Sequence, residues 1–186
     1  MKWTGTRPTD PCLVTYGQMQ SQLRIVSDDE QDYVDDVVDA CIDYAEQALD
    51  ASLLIRAITA IYYDQAGPYY GVYRNYHRLA LPRGPVQSVT SVTDANGTIT
   101  GFTLEGEGNT DILKITQAWT APLTVVFVAG FGSNVTDVPA DIRMAIRTHA
   151  ATLFEQRAST DEKAILPVPH SLEAFYQLRR RSSPVG

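Results

Sequence analysis

The sequence predicts an α+β protein: an α-helical body built from N-terminal and C-terminal helices, with a small antiparallel β module inserted between them. Three observations carry this reading. Apolar residues recur at spacings of three and four through residues 34–49 and again through 142–153, the rhythm of helices with one buried face. Between them lie short runs of branched residues punctuated by Gly, Pro and Asn-Gly, the signature of strands and tight turns. Helix-start signals precede the helical tracts: two capping-box spacings at the N-terminal end and Pro139 at the head of the long C-terminal one.

The chain has 186 residues, enough for one domain or one domain with arms, and enough to bury a core without metal or disulfides. Apolar content of 44% and charged content of 20% match an ordinary globular protein. Cys12 and Cys41 are the only cysteines; they form no framework and no CxxC pair, which fits a reducing, intracellular origin. The opening MKWTGTRPTDP lacks the apolar core of a signal peptide, and no segment reaches the roughly eighteen apolar residues of a membrane span. The sequons at Asn96 and Asn134 therefore read as chance.

Taken in order, residues 1–14 hold Pro8 and Pro11, show no periodicity and read as an extended arm. Thr15 and Gln18 have capping-box spacing ahead of a short helix over about Tyr16–Arg24, with Met19 and Leu23 inward. Ser27 and Glu30 repeat that spacing, and Asp28, Asp29 and Glu30 suit the positive end of the helix dipole. The helix that follows buries Val34, Val37, Val38, Cys41, Ala45, Ala48 and Leu49. Its other side carries Asp32, Asp35, Asp36, Asp39, Asp43 and Glu46, and no lysine or arginine lies between Arg24 and Arg56.

Leu53–Tyr63 is rich in branched residues and reads as a strand, with helix as the competing assignment. Gln65–Asn75, QAGPYYGVYRN, reads as a protruding loop. Its tyrosines either form a contact surface or fold back over the core. His77–Leu81 is a short strand ended by Pro82. Val86–Thr93 alternates so that either face suits a core, and Asp94–Gly97 is a hairpin turn in which Asn-Gly tolerates positive φ. Ile99–Leu104, Ile112–Thr116 and Leu123–Ala129 supply further strands, the last broken by Gly130 and Gly132. Pro139 suits the first helical position and Asp141 the first turn of a helix that ends near Arg157, with Ile142, Ala145, Ile146, His149, Ala150 and Leu153 on its apolar face. Pro167 and Pro169 interrupt the chain. A last helix over Leu172–Arg180 uses Leu172, Phe175 and Tyr176, and RRRSSPVG forms a basic tail.

The net charge of −7 is uneven: residues 1–50 hold 3 basic and 11 acidic side chains, residues 139–186 hold 7 and 5. An acidic chain is poorly suited to gripping nucleic acid through its phosphates. No catalytic set converges. His77, His149 and His170 fall in a strand, on a helix face and in a loop, with no HExxH motif or EF-hand loop. GPYYG and AGFGSN lack phosphate-loop form, and no G-x-S-x-G elbow occurs. Asp32 with Asp36, or Asp39 with Asp43, would need ligands from another element to hold a cation, and none is indicated. The acidic face is otherwise a solvated helix face or, repeated around a ring, a negative wall past which DNA slides without sticking. The arginines of the tail suit bidentate bonds to a neighbour's carboxylates, or a solubilising end.

Over nearly its full length the chain resembles the head–tail connector (adaptor) proteins of tailed, double-stranded-DNA bacteriophages. The resemblance rests on TYGQMQSQLRI with the acidic DDEQDYVDDVVDACIDYAEQAL, on LPRGPVQSVTSV at Leu81–Val92, on VVFVAGF at Val125–Phe131, and on VPADIRMAIRTHAATLFEQR at Val138–Arg157. The GPYYGVYRNYH stretch is longer and richer in tyrosine than the compact loop expected there.

The resemblance implies a structural protein of the virion neck with no enzymatic activity, no cofactor and no metal. It implies a homo-oligomeric, usually dodecameric ring that docks beneath the portal protein, extends the DNA channel and offers a platform to a stopper or tail-terminator protein. Genomic DNA would pass through the lumen without specific binding, with no membrane involved; the protein would occupy the host cytoplasm during assembly. The expected organisation is an arm over 1–14, one connector domain over 15–178 with a β-rich insertion at about 53–131, and a basic tail over 179–186. Asp32, Asp35, Asp36, Asp39, Asp43 and Glu46 are the expected channel-facing residues. Tyr69, Tyr70, Tyr73, Tyr76, Phe175, Tyr176, Arg179, Arg180 and Arg181 are the expected contacts to portal or neighbour. The alternatives are a tail-completion or neck protein of the same particle, a small hydrolase or metal-dependent enzyme, and a non-viral scaffold.

Overall fold

Leu123–Ala129 alternates buried and half-buried side chains along its whole length, as a strand with one face in a core must. In the computed structural model, which describes residues 1–63, 70–73, 76–107, 110–156 and 170–181, this strand is the centre of a β unit. The chain divides into that unit, drawn from Met1–Pro8, Asp50–Ser133 and Arg181, and a helical unit drawn from Thr9–Leu49 and Asn134–Arg180. Helices and antiparallel sheets together make an α+β fold.

The strands of the β unit are β1 (Lys2–Thr4), β2 (Arg56–Tyr62), β3 (Tyr70–Tyr73), β4 (Tyr76–Ala80), β5 (Val86–Asp94), β6 (Gly97–Thr98), β7 (Phe102–Glu107), β8 (Thr110–Ile115) and β9 (Leu123–Ala129). One sheet has the order β1-β2-β9-β5-β6, the other β3-β4-β8-β7, and the pairings between named strands are antiparallel. Both sheets feed one core. Ile58, Val92, Val125 and Phe127 come from the first, Leu79, Leu113 and Ile115 from the second, with Trp119 beside them. Each such side chain contributes roughly 1.5–3 kcal/mol by leaving water.

Strand β5 resolves an ambiguity of the sequence. Val86, Val89 and Val92 are spaced by three, so strict alternation cannot place all of them on one face. Register shifts between Val86 and Ser88 and between Val89 and Ser91 reset the pleat, and all three meet the core. The turn after β5 also differs from expectation. Asn96 does not take positive φ; Gly97 does, at 136°. The Asp94 carboxylate makes the turn, accepting from the backbone N–H of Asn96 at 2.8 Å and of Gly97 at 3.0 Å. The chain then changes sheets across Ile99–Gly101, so the next strand starts at Phe102 rather than at Ile99.

Part of the tyrosine-rich stretch is strand rather than loop: the backbone of Tyr70–Tyr73 pairs with Tyr76–Leu79. Residues 65–69 and 74–75 of that stretch lie outside the described residues. Lys2–Thr4 adds an edge strand to Thr59–Ile61, and a strand of three residues leaves no periodicity for a sequence to show.

The helical unit holds α1 (Tyr16–Leu23), α2 (Gln31–Leu49), α3 (Ala140–Gln156) and α4 (His170–Arg179), with single 3-10 turns at Asp28–Glu30 and Val135–Asp137. Helix α2 packs on α3, α4 and α1. Thr15 and Gln18 form the expected capping box. At α2 the box is replaced: Ser27 accepts from the N–H of Asp29 and its hydroxyl donates to the Asp29 carboxylate, because the first turn is 3-10 and brings residue i+2 within reach. Val34, Val38, Cys41, Ala45 and Leu49 are buried as expected, joined by Ile42, while Val37 and Ala48 are half-buried at the edge of the stripe.

Candidate functional site

The acidic face of α2 is the first candidate. Asp32, Asp35, Asp36, Asp39 and Asp43 are all exposed, set on one side of the helix by the spacing of three and four. Glu46 is a correction. It shares the spacing but is 5% exposed, buried near the C-terminal end of α2. Tyr16 reports on the same surface. Its hydroxyl donates to the Ser27 carbonyl at 3.0 Å. Its ionisation is pushed up by desolvation first, then by the carboxylates of Asp28, Glu30, Asp35 and Asp29.

An open cleft of about 320 Å³ lies in this unit between the 9–16 segment and α2, with Cys12, Tyr16, Asp35 and Asp39 among its walls. It holds no histidine, and the Cys12 thiol donates to the Val14 carbonyl at 3.0 Å. Nothing there pairs a nucleophile with a base. The three histidines lie apart. His77 meets Trp119 edge-on at 6.3 Å in the β unit, His149 is buried against Tyr44 at 5.3 Å, and His170 is exposed near Glu173 at 3.9 Å. Among the described residues no group of three or more His, Cys, Asp or Glu is placed to hold a metal ion, and no helix is long and apolar enough to cross a membrane.

The glycine-bearing AGFG segment does structural work. After β9, Gly130 takes φ 141°, and a Cβ there would stand 2.5 Å from backbone atoms of Leu54 and Ile55. This close approach lets the Phe131 N–H donate to the Leu53 carbonyl at 3.3 Å and the Ile55 N–H to Gly132 at 3.0 Å. The backbone donors are therefore spent on chain crossing rather than on an anion.

The expected contact residues divide. Tyr69 lies outside the described residues, and Tyr70 and Tyr73 have their backbone in β3. Tyr76 is half-buried, with the Lys114 ammonium 4.5 Å from its ring centroid. Phe175 is half-buried and Arg180 exposed. Tyr176 is a correction: it is 0% exposed, stacked edge-on against Tyr44 and Phe175, and serves the core of the helical unit. Arg179 is paired with Asp141 of α3. Arg181 reaches the Asp111 carboxylate at 2.6 Å, where the Val86 N–H also donates at 2.7 Å. A Cβ on Gly84 would collide with that guanidinium, so glycine keeps the socket open. Sequence reasoning found neither Asp111 nor Gly84; both depend on residues 70 or more positions away, and no local pattern marks them. Residues 182–186 of the tail lie outside the described residues.

No protein-family model matches the sequence, and no curated protein does. Solved structures do match the fold. A chain in the neck of an empty gene transfer agent particle, computed with C6 symmetry, superposes with a TM-score of 0.75 at 18% identity, covering 100% of this chain and 98% of that one. A chain from the virion of a native gene transfer agent particle gives 0.71 at 18% identity, with the same coverage. A third, from the neck of the native particle computed with C12 symmetry, gives 0.69 at 17% identity. At this identity the likeness establishes a shared fold over the full length.

Proposed function

We propose that this chain is a structural subunit of a virion neck: a head–tail connector that forms a ring beneath the portal, continues the DNA channel and receives a stopper or tail protein. The observation that carries the reading is the full-length match to chains from the neck of gene transfer agent particles, covering 100% of this chain and 98% of the first of them. Both units take part in that match, so the reading does not rest on a β module common to many proteins. The symmetry of those necks, C6 and C12, supports a ring.

Within the ring, the exposed carboxylates of α2 line the channel. Phosphates passing a wall of Asp32, Asp35, Asp36, Asp39 and Asp43 meet like charge, so no attractive contact stalls the DNA. Arg180 and Phe175 supply contacts to the portal or a neighbour, whereas Arg179 and Arg181 orient the C-terminal segment through carboxylates of their own chain.

Deleting the chain from an assembling particle tests the reading. The expected product is DNA-filled heads and free tails that do not join, restored by supplying the chain in trans. Tailed, DNA-delivering particles formed without it would refute the reading.

A further inference from the structure

We propose that α4 is a releasable strap that covers Cys41, Tyr44 and His149 in the helical unit, fastened by Leu172 and Tyr176 and weakened by the Tyr176 hydroxyl. This goes beyond the connector reading and does not depend on it.

Helix α4 has 10 residues, too few to be stable in water unless docked. Among those residues, only Leu172 and Tyr176 are buried. The hydroxyl of Tyr176 is fully enclosed and has no hydrogen-bond partner among the described residues, so docking strips it of the bonds it makes in water. That orphaned group sits on the larger of the two anchors. Within the helical unit, the ion pair that fastens α4 among the described residues is Arg179 with Asp141, whose side chains are 50% and 37% exposed and therefore screened by solvent and salt.

Beneath the strap the chemistry is distinct. Tyr44 bridges the helices, 5.8 Å from the Tyr176 ring and 5.3 Å from that of His149. Cys41, one turn before Tyr44 on α2, is 0% exposed, and the ionisation of the Tyr176 phenol is pushed up by burial first, then by Cys41 and Tyr44. Burial pushes the Cys41 thiol up to about 12, which leaves it inert while α4 is docked. Lifting α4 exposes the thiol and returns it to an ordinary, reactive state. Outside, Leu178 is 85% exposed on the same helix, an apolar handle on its solvent side.

The test uses the full chain with Cys12→Ser, so that Cys41 is the only thiol. Its labelling by a small maleimide is followed at increasing urea, beside unfolding of the whole helical unit followed by circular dichroism. The strap predicts native-state labelling whose urea dependence is several-fold shallower than that of unfolding, because releasing one short helix exposes little surface. Tyr176→Phe removes the orphaned hydroxyl and keeps the ring, and slows labelling about tenfold. Leu172→Ala speeds it at least tenfold. Labelling that follows unfolding of the whole unit with the same urea dependence would overturn the proposal. So would a Tyr176→Phe rate equal to or above that of the parent.

Discussion

Replacing Gly130 by alanine separates the two costs that its position imposes. At φ 141° an L residue is strained, at roughly 1–3 kcal/mol. The new Cβ would also stand 2.5 Å from Leu54 and Ile55 backbone atoms, which cannot swing aside as a flexible side chain would. Overpacking of this kind adds about 1–3 kcal/mol. Gly97 is the internal control: its φ is 136°, but a Cβ there meets nothing within 4 Å. Gly97→Ala therefore carries the strain alone, and Gly130→Ala carries strain plus collision, about 2–6 kcal/mol in all. With about 2–4 °C per kcal/mol for a chain of this length, the midpoints of these ranges give a Tm loss of about 6 °C for the first variant and about 12 °C for the second. Trp3 and Trp119, the only tryptophans, both lie in the β unit, so their fluorescence on heating reports that unit selectively. Equal losses for the two variants, or a Gly130→Ala protein as stable as the parent, would refute the collision argument and reopen the AGFG segment to a ligand-binding role.

Three further predictions follow from particular contacts. Asp111→Ala removes the carboxylate that accepts from Val86 and Arg181, and is expected to destabilise the β unit by about 2–3 kcal/mol in urea titrations; a loss under 0.5 kcal/mol would show that the socket is not formed in solution. Asp94 is held below its ordinary pKa of 3.8, chiefly by the backbone N–H of Thr120 and then of Asn96. Its stabilisation is present above the unfolded pKa and is lost as pH falls through the depressed folded value, since the unfolded chain then binds the extra proton. Asp94→Asn should flatten the decline of the urea midpoint below about pH 4, and an unchanged slope would contradict the assignment. Changing Asp32, Asp35, Asp36, Asp39 and Asp43 together to asparagine should leave Tm within a few degrees, because all five are exposed, while slowing DNA exit from assembled particles; exit at the parental rate would remove the α2 face from the channel.

Much of the fold was legible because burial imposes periods. The stripe of α2 and the alternation of β9 are one-dimensional records of which side meets the core, and the structure follows both. Val86–Thr93 was illegible for a definite reason: bulges change the period mid-strand, and a bulge depends on its partner β9 rather than on its own residues. The edge strand Lys2–Thr4 was too short to have a period. Capping at Thr15 was readable, but at Ser27 the 3-10 turn moved the bond by one residue. The candidate surfaces were legible in charge but not in depth. Five aspartates of α2 are exposed as their spacing implies, whereas Glu46 is buried despite sharing that spacing, and Tyr176 is buried against Tyr44, far away in the sequence. The same holds for Arg181, whose partner Asp111 stands 70 positions earlier.

The central claim is that this chain is a ring-forming subunit of a virion neck, and electron cryomicroscopy of the intact neck tests it most directly. The account predicts a closed ring of this chain directly beneath the portal, with the aspartate face of α2 turned towards the DNA. A neck without density for this chain, or the chain located at the tail tip or the capsid shell, would contradict it.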